Sequence, residues 1–163
     1  REDVWRSERF GDHLMGAMAW LTGEDATPAN MLSPEEAAAG WRLLFDGATT
    51  QGWRGFARED MPTGWQVVDG ALTRVESAGD IVATEPFGDF ELSLEWKIAP
   101  GGNSGIFYRG SEAESPVWHT APEMQVLDNA VLGEGDDARR SAGALYDLVP
   151  PATDATRPPG EWN

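Results

Sequence analysis

The sequence predicts an all-β protein built as an antiparallel β-sandwich, and three observations carry that prediction. Residues 90–98 alternate strictly. Phe90, Leu92, Leu94, Trp96 and Ile98 fall on one side and Glu91, Ser93, Glu95 and Lys97 on the other, as a strand with one buried and one wet face requires. Asp69-Gly70 separates two short runs, 65–68 and 71–75, which is a strong hairpin signal. After Gly40 the pattern changes from helical to period two, and many short strands with few helices argue for stacked antiparallel sheets.

The elements follow in order. Residues 1–24 form a helical preface, or the tail of a preceding domain. Phe10, Leu14, Ala17, Met18 and Leu21 have the spacing of an amphipathic helix over 11–22, and Gly23 is a natural stop. A helix this short is marginal alone and must pack on something. Residues 25–40 make a linker and a short capped helix. Ser33 is placed to cap, Pro34 sits at N1, Glu36 can close a capping box, and Gly40 can end the helix in a left-handed conformation. Residues 41–163 carry the sandwich. Beyond the hairpin, 81–84, 90–98, 105–109 and 123–128 read as strands, and 144–148 as a short strand or turn. Pro150, Pro151, Pro158 and Pro159 bracket a loop that cannot supply a central strand.

Composition narrows the function classes. Against 28 acidic residues stand 12 basic ones, of which only Lys97 is a lysine, for a formal charge of -16. Such a surface repels phosphate backbones, so nucleic acid is not an expected partner. There is no cysteine, which excludes disulfides and thiolate chemistry, and no run approaches a membrane span. Eight tryptophans can serve as core or as platforms for the apolar face of a sugar ring.

Candidate chemistry gathers around residues 101–128. Glu123 and Gln125, two apart, share one face of a strand with Cβ atoms about 7 Å apart. Met124 and Val126 take the opposite, buried face. An outward acid and amide could grip paired hydroxyls or set a base beside a polarising group; they could equally be an ordinary wet face. Asp128 has the other parity unless the strand ends before it. Gly101-Gly-Asn-Ser-Gly105 suits a tight loop whose Asn103 and Ser104 could meet a hydroxyl or carbonyl oxygen. It lacks the Gly-Lys-Ser/Thr ending of a phosphate loop, and no nucleotide cofactor is expected. Arg109 offers a guanidinium fork for a keto oxygen, for Glu123, or for a structural ion pair. His119, preceded by Trp118, has the intrinsic basicity for proton transfer near neutrality and could reach the same pocket. His13 belongs to the preface helix. The sequence shows no recognisable zinc motif; a divalent metal held by Asp, Glu and His from separate strands is compatible with it.

Several stretches together resemble one family. They are Trp41-Arg-Leu-Leu-Phe-Asp-Gly47 with Gly52-Trp53, and Trp65-Gln-Val-Val-Asp-Gly-Ala-Leu72. Next come Gly88-Asp-Phe-Glu-Leu-Ser-Leu-Glu-Trp96 and Pro100-Gly-Gly-Asn-Ser-Gly-Ile-Phe-Tyr-Arg109. Pro122-Glu-Met-Gln-Val-Leu-Asp-Asn129 and Gly143-Ala-Leu-Tyr-Asp147 complete the set. In order and spacing they resemble the 3-keto-disaccharide hydrolase domain, formerly a domain of unknown function. Residues 10–23 resemble the closing helix of trehalose-utilisation-type domains.

The resemblance implies a concanavalin A-like sandwich, or jelly roll, in a bacterial protein placed in the periplasm or outside the cell, with further domains on either side of the chain. It implies a small carbohydrate substrate oxidised at C3. Glu123 and His119 are then the catalytic candidates, and Gln125, Asn103, Ser104, Arg109, Asp128 and Trp118 the substrate-binding ones. It also implies that a segment like 159–163 opens a further strand, so at least two strands of the sandwich are expected from beyond Asn163. The competing expectations are a noncatalytic carbohydrate-binding module, since fold does not fix function, and an interaction or spacer domain.

Overall fold

The computed structural model describes residues 30–163, so the helix expected over 11–22 lies outside the described residues. The chain divides into two compact units, residues 1–46 and 47–163. In the first, α1 (Pro34–Ala39) forms as its sequence dictates. Ser33 Oγ accepts from Glu36 N (3.1 Å), the Glu36 carboxylate accepts from Ser33 N (2.8 Å), and Gly40 caps the other end at φ 89°.

The second unit is all-β and antiparallel. β1 (Trp53–Gly55) pairs with β4 (Ile81–Ala83), β2 (Trp65–Val68) with β3 (Ala71–Arg74), and β5 (Asn103–Phe107) with β6 (Glu123–Leu127). The β2–β3 hairpin closes at Val68 opposite Ala71. Asp69 and Gly70 take φ 50° and 77°, the two left-handed positions of a type I′ turn, whose twist matches that of the strands. The core sits on β6. Val126 and Leu127 are buried there, with Val117 and the small Ala142 and Ala144. The latter two belong to a segment that docks on the second edge of β6: Leu145 bridges Met124, so β6 lies between β5 and this segment.

Residues 90–98 depart from expectation. Residues 90–95 belong to none of the three ladders. Phe90, Leu92 and Leu94 are 45, 41 and 42 % exposed rather than buried. The alternation does fix the side they share, for Leu92, Leu94 and Trp96 line one groove of about 550 Å³ with Ile106, Tyr108 and Met124. What alternation cannot supply is a partner strand. Trp96 and Asn163 exchange both backbone bonds (2.9 and 2.8 Å), and Ile98 O accepts from Gly160 N (2.9 Å), so pairing starts only at Trp96.

Candidate functional site

The register of β5 and β6 decides which side chains can act together. Asn103 faces Leu127, Gly105 faces Gln125, and Phe107 faces Glu123. By strand alternation these six share one face, while Ser104 and Ile106 share the other with Val126 and Met124. Glu123 and Gln125 therefore lie side by side, as their spacing predicts, and Val126 takes the buried opposite side.

Their face is not a wet one, which corrects the expectation for Gln125. Gln125 is only 3 % exposed. The physical reason is the segment over the second edge of β6. Gln125 N donates to Ala144 O (3.0 Å), Gln125 O accepts from Gly143 N (2.8 Å), and Tyr146 N donates to Glu123 O (3.0 Å). The side-chain Nε2 donates a long bond to Arg140 O (3.4 Å). A carbonyl oxygen can only accept, so this contact orients the amide with Nε2 toward Arg140 and Oε1 away from it. That Oε1 is buried and has no hydrogen-bond partner among the described residues.

Glu123 is half-buried, and its side chain lies across the backbone of Gly105. A Cβ built on Gly105 would fall 2.6 Å from Glu123 Cδ and nearer still to Oε1. Residue 105 stands directly opposite Gln125, so this berth brings the carboxylate alongside the Gln125 side chain. Burial pushes the Glu123 carboxyl above the usual glutamate range, and the negative charge of Asp80 pushes it the same way. Asp80 lies just before β4, where its carbonyl accepts from Phe56 N (2.9 Å).

The other predicted residues divide. Asn103 is exposed at the start of β5 on the Glu123 face, whereas Ser104 points to the opposite face. Asp128 is buried with both oxygens committed to backbone, Oδ2 to Gly101 N (2.8 Å) and Oδ1 to Ala130 N (3.0 Å). It pins the glycine loop to the end of β6 and leaves no oxygen free of a partner for a sugar. Arg109, at φ 55°, pairs with Asp89 (2.8 Å) and not with Glu123. It lines the apolar groove with Ile106 and Met124, so the structure separates it from the Glu123 face. His119 sits on a 3-10 turn (Val117–His119), half exposed, with Nδ1 3.9 Å from Glu114. Trp118 is 60 % exposed on the same turn, edge-on to the His119 ring. No hydrogen bond joins this turn's His119 to Glu123.

Three contributors had no local signal in the sequence. Asp80 reaches Glu123 only through the fold. Asn129 ties loops together, accepting from Ala142 N (2.8 Å) and donating to Asp154 (3.1 Å). Glu112 clamps β1 from 58 residues away: it accepts Arg54 Nη1 (2.6 Å), Arg54 Nη2 (2.7 Å) and Ala57 N (2.6 Å). Among the described residues no group of three or more His, Asp or Glu side chains is placed to hold a metal ion. No helix among them is long and apolar enough to cross a membrane.

Known proteins bear on this arrangement. A curated 3-keto-disaccharide hydrolase from Bacteroides thetaiotaomicron is 37 % identical over 150 residues, which is 77 % of this chain and 51 % of that protein. The chain thus spans about half the length of the curated relative it matches. A solved structure from Parabacteroides distasonis, described as a candidate glycosyl hydrolase, superposes with a TM-score of 0.74 at 34 % identity. It covers 82 % of this chain and 65 % of its own. The model of the 3-keto-alpha-glucoside-1,2-lyase-like domain matches residues 40–163, and the chain belongs to that family.

Proposed function

We propose that this domain opens glycosides already oxidised at C3, by elimination across C1 and C2 followed by hydration. The observation that carries this reading is the half-buried Glu123 carboxylate on the strand face it shares with Gln125, whose buried Oε1 has no partner among the described residues. A buried acceptor without a donor costs about 1–3 kcal/mol, and a sugar hydroxyl is a donor that would offset this cost. The C3 carbonyl acidifies the proton on C2. Glu123 takes that proton, the electron pair of the C2–H bond moves to form the enolate, and collapse of the enolate breaks the bond from C1 to the departing oxygen. The leaving group carries off a proton, and water adds to C1 of the enone as C2 regains a proton. The net change is hydrolysis. A carboxyl raised above its ordinary range is a stronger base than a free one and suits this exchange. Asn103, on the same face, has the amide donor that the enolate oxygen requires. The reading assigns the base to Glu123 rather than to the outward His119, and gives Trp118 the role of an outer stacking platform. One further consideration supports it. The family's description names a lyase and the curated relative's names a hydrolase, and elimination followed by hydration is a route on which both words are accurate.

The test uses the full-length protein with 3-keto-trehalose, and trehalose as the unoxidised control. Turnover of the oxidised sugar alone, in heavy water, should place one solvent deuterium at C2 faster than the free product exchanges. Hydrolysis without deuterium at C2 would refute elimination. Saturable binding of trehalose without turnover of either sugar would make the domain a binding module.

A further inference from the structure

We propose that Gly105 is a positioning residue for Glu123, its missing side chain being the berth in which the carboxylate lies beside Gln125. The inference rests on the functional reading above, but its evidence is separate. Glu123 is paired with Phe107, not with Gly105, yet its side chain leans two rungs along the ladder, to the next pair on the same face. Its Cγ and Cδ lie 2.8 and 2.6 Å from where a Cβ at 105 would stand. Real Cβ atoms do not approach so closely, so any other residue at 105 displaces the carboxylate. The backbone does not demand glycine there, since Gly105 is absent from the positive-φ positions and sits in an ordinary strand. Glycine inside a strand is ordinarily a weakness, through entropy and the loss of packing. Space is what it provides here. Gly55 and Gly102 are crowded as well, but by the Arg58 methylenes and the Ile98 side chain. At Gly105 the occupant is the acid assigned as base. The consequence is geometric: Glu123 is turned away from Phe107 and held at the rung that Gly105 and Gln125 share.

The experiment compares Gly105→Ala with the parent protein in three readouts. On 3-keto-trehalose, kcat should fall at least tenfold with a smaller change in KM, because the base moves while Gln125 stays. The acid limb of the pH–rate profile should shift downward as the displaced carboxylate meets water. A carboxyl carbon-13 titration of Glu123 should shift the same way, independently of turnover. Glu123→Ala, which removes Cγ, Cδ and both oxygens, empties the berth, so Gly105→Ala should cost no further Tm in that background. Unchanged kcat and titration in Gly105→Ala would overturn the proposal, as would an equal loss of Tm with Ala at 123. Should Gly105→Ala fail to fold, the double variant must fold, because the overlap is gone; failure of both also overturns it. Full activity of Glu123→Gln would sink the functional reading, while the titration still decides the positioning. An inactive Glu123→Gln beside an unaffected Gly105→Ala would sink the positioning alone.

Discussion

Replacing Gln125 by methionine should make the protein more stable and a poorer binder. The two side chains are similar in length and volume, so the pocket under the 142–146 segment needs little repacking. Three contributions set the magnitude. Deleting a buried acceptor that has no donor recovers about 1–3 kcal/mol. Losing the bond from Nε2 to Arg140 O costs at most about 0.5 kcal/mol, since 3.4 Å is at the weak end of the range. Arg140 is itself exposed, so its carbonyl finds water instead. The net is a gain of about 0.5–2.5 kcal/mol, or about 1–10 °C in Tm for a chain of this size. Thermal and urea unfolding at pH 7 measure it, with equal m-values required for the comparison. The same variant should raise KM for 3-keto-trehalose, because the acceptor for the sugar hydroxyl is gone. A destabilised Gln125→Met protein would show that Oε1 is already satisfied in the free molecule. The argument for a ligand at this position would then lose its footing.

Other perturbations test separate parts of the structure. Glu123→Gln should raise Tm at pH 7: the folded-state carboxyl sits above its unfolded value, so ionisation opposes folding above the ordinary glutamate range. The gain should disappear below that range, where both states are protonated; a variant no more stable at pH 7 would contradict the assigned burial cost. Glu112→Gln should act in the opposite sense. The Arg54 guanidinium and the Ala57 amide hold Glu112 down to about 2, so its stabilisation is complete above its ordinary value of 4.5 and fades as pH falls toward 2. The Tm gap between parent and variant should therefore close across that window, and a gap independent of pH would remove the clamp. Leu92→Lys, on the exposed row, should lower apolar-dye binding and self-association of the 163-residue chain while changing its Tm little. A large fall in Tm would mean that Leu92 is buried in solution.

Local chemistry made much of this protein legible before any coordinates. The capped α1 turn is written in Ser33, Pro34, Glu36 and Gly40, because each residue acts within one helical turn. The β2–β3 hairpin is written in Asp69-Gly70, because few residues accept two successive positive φ angles. The common face of Glu123 and Gln125 follows from a period of two, which holds whatever else the chain does. Tertiary structure decided what these patterns cannot contain. Gln125 is buried because residues 142–146 pack on the far edge of β6, a contact across some 20 residues that no window of sequence predicts. Asp128 reads as a ligand for sugar in its motif, and becomes a latch because Gly101 N and Ala130 N both arrive at its carboxylate. Arg109 goes to Asp89 and the groove because its left-handed φ turns the chain at the strand's end. The alternation of 90–98 names its apolar side correctly, but burial needs a neighbour, and one strand's sequence does not hold the neighbour's position. Sequence thus determined conformations and faces, which are set by atoms a few bonds apart. The fold alone determined company, because burial, charge and an empty berth depend on groups brought together across the whole chain.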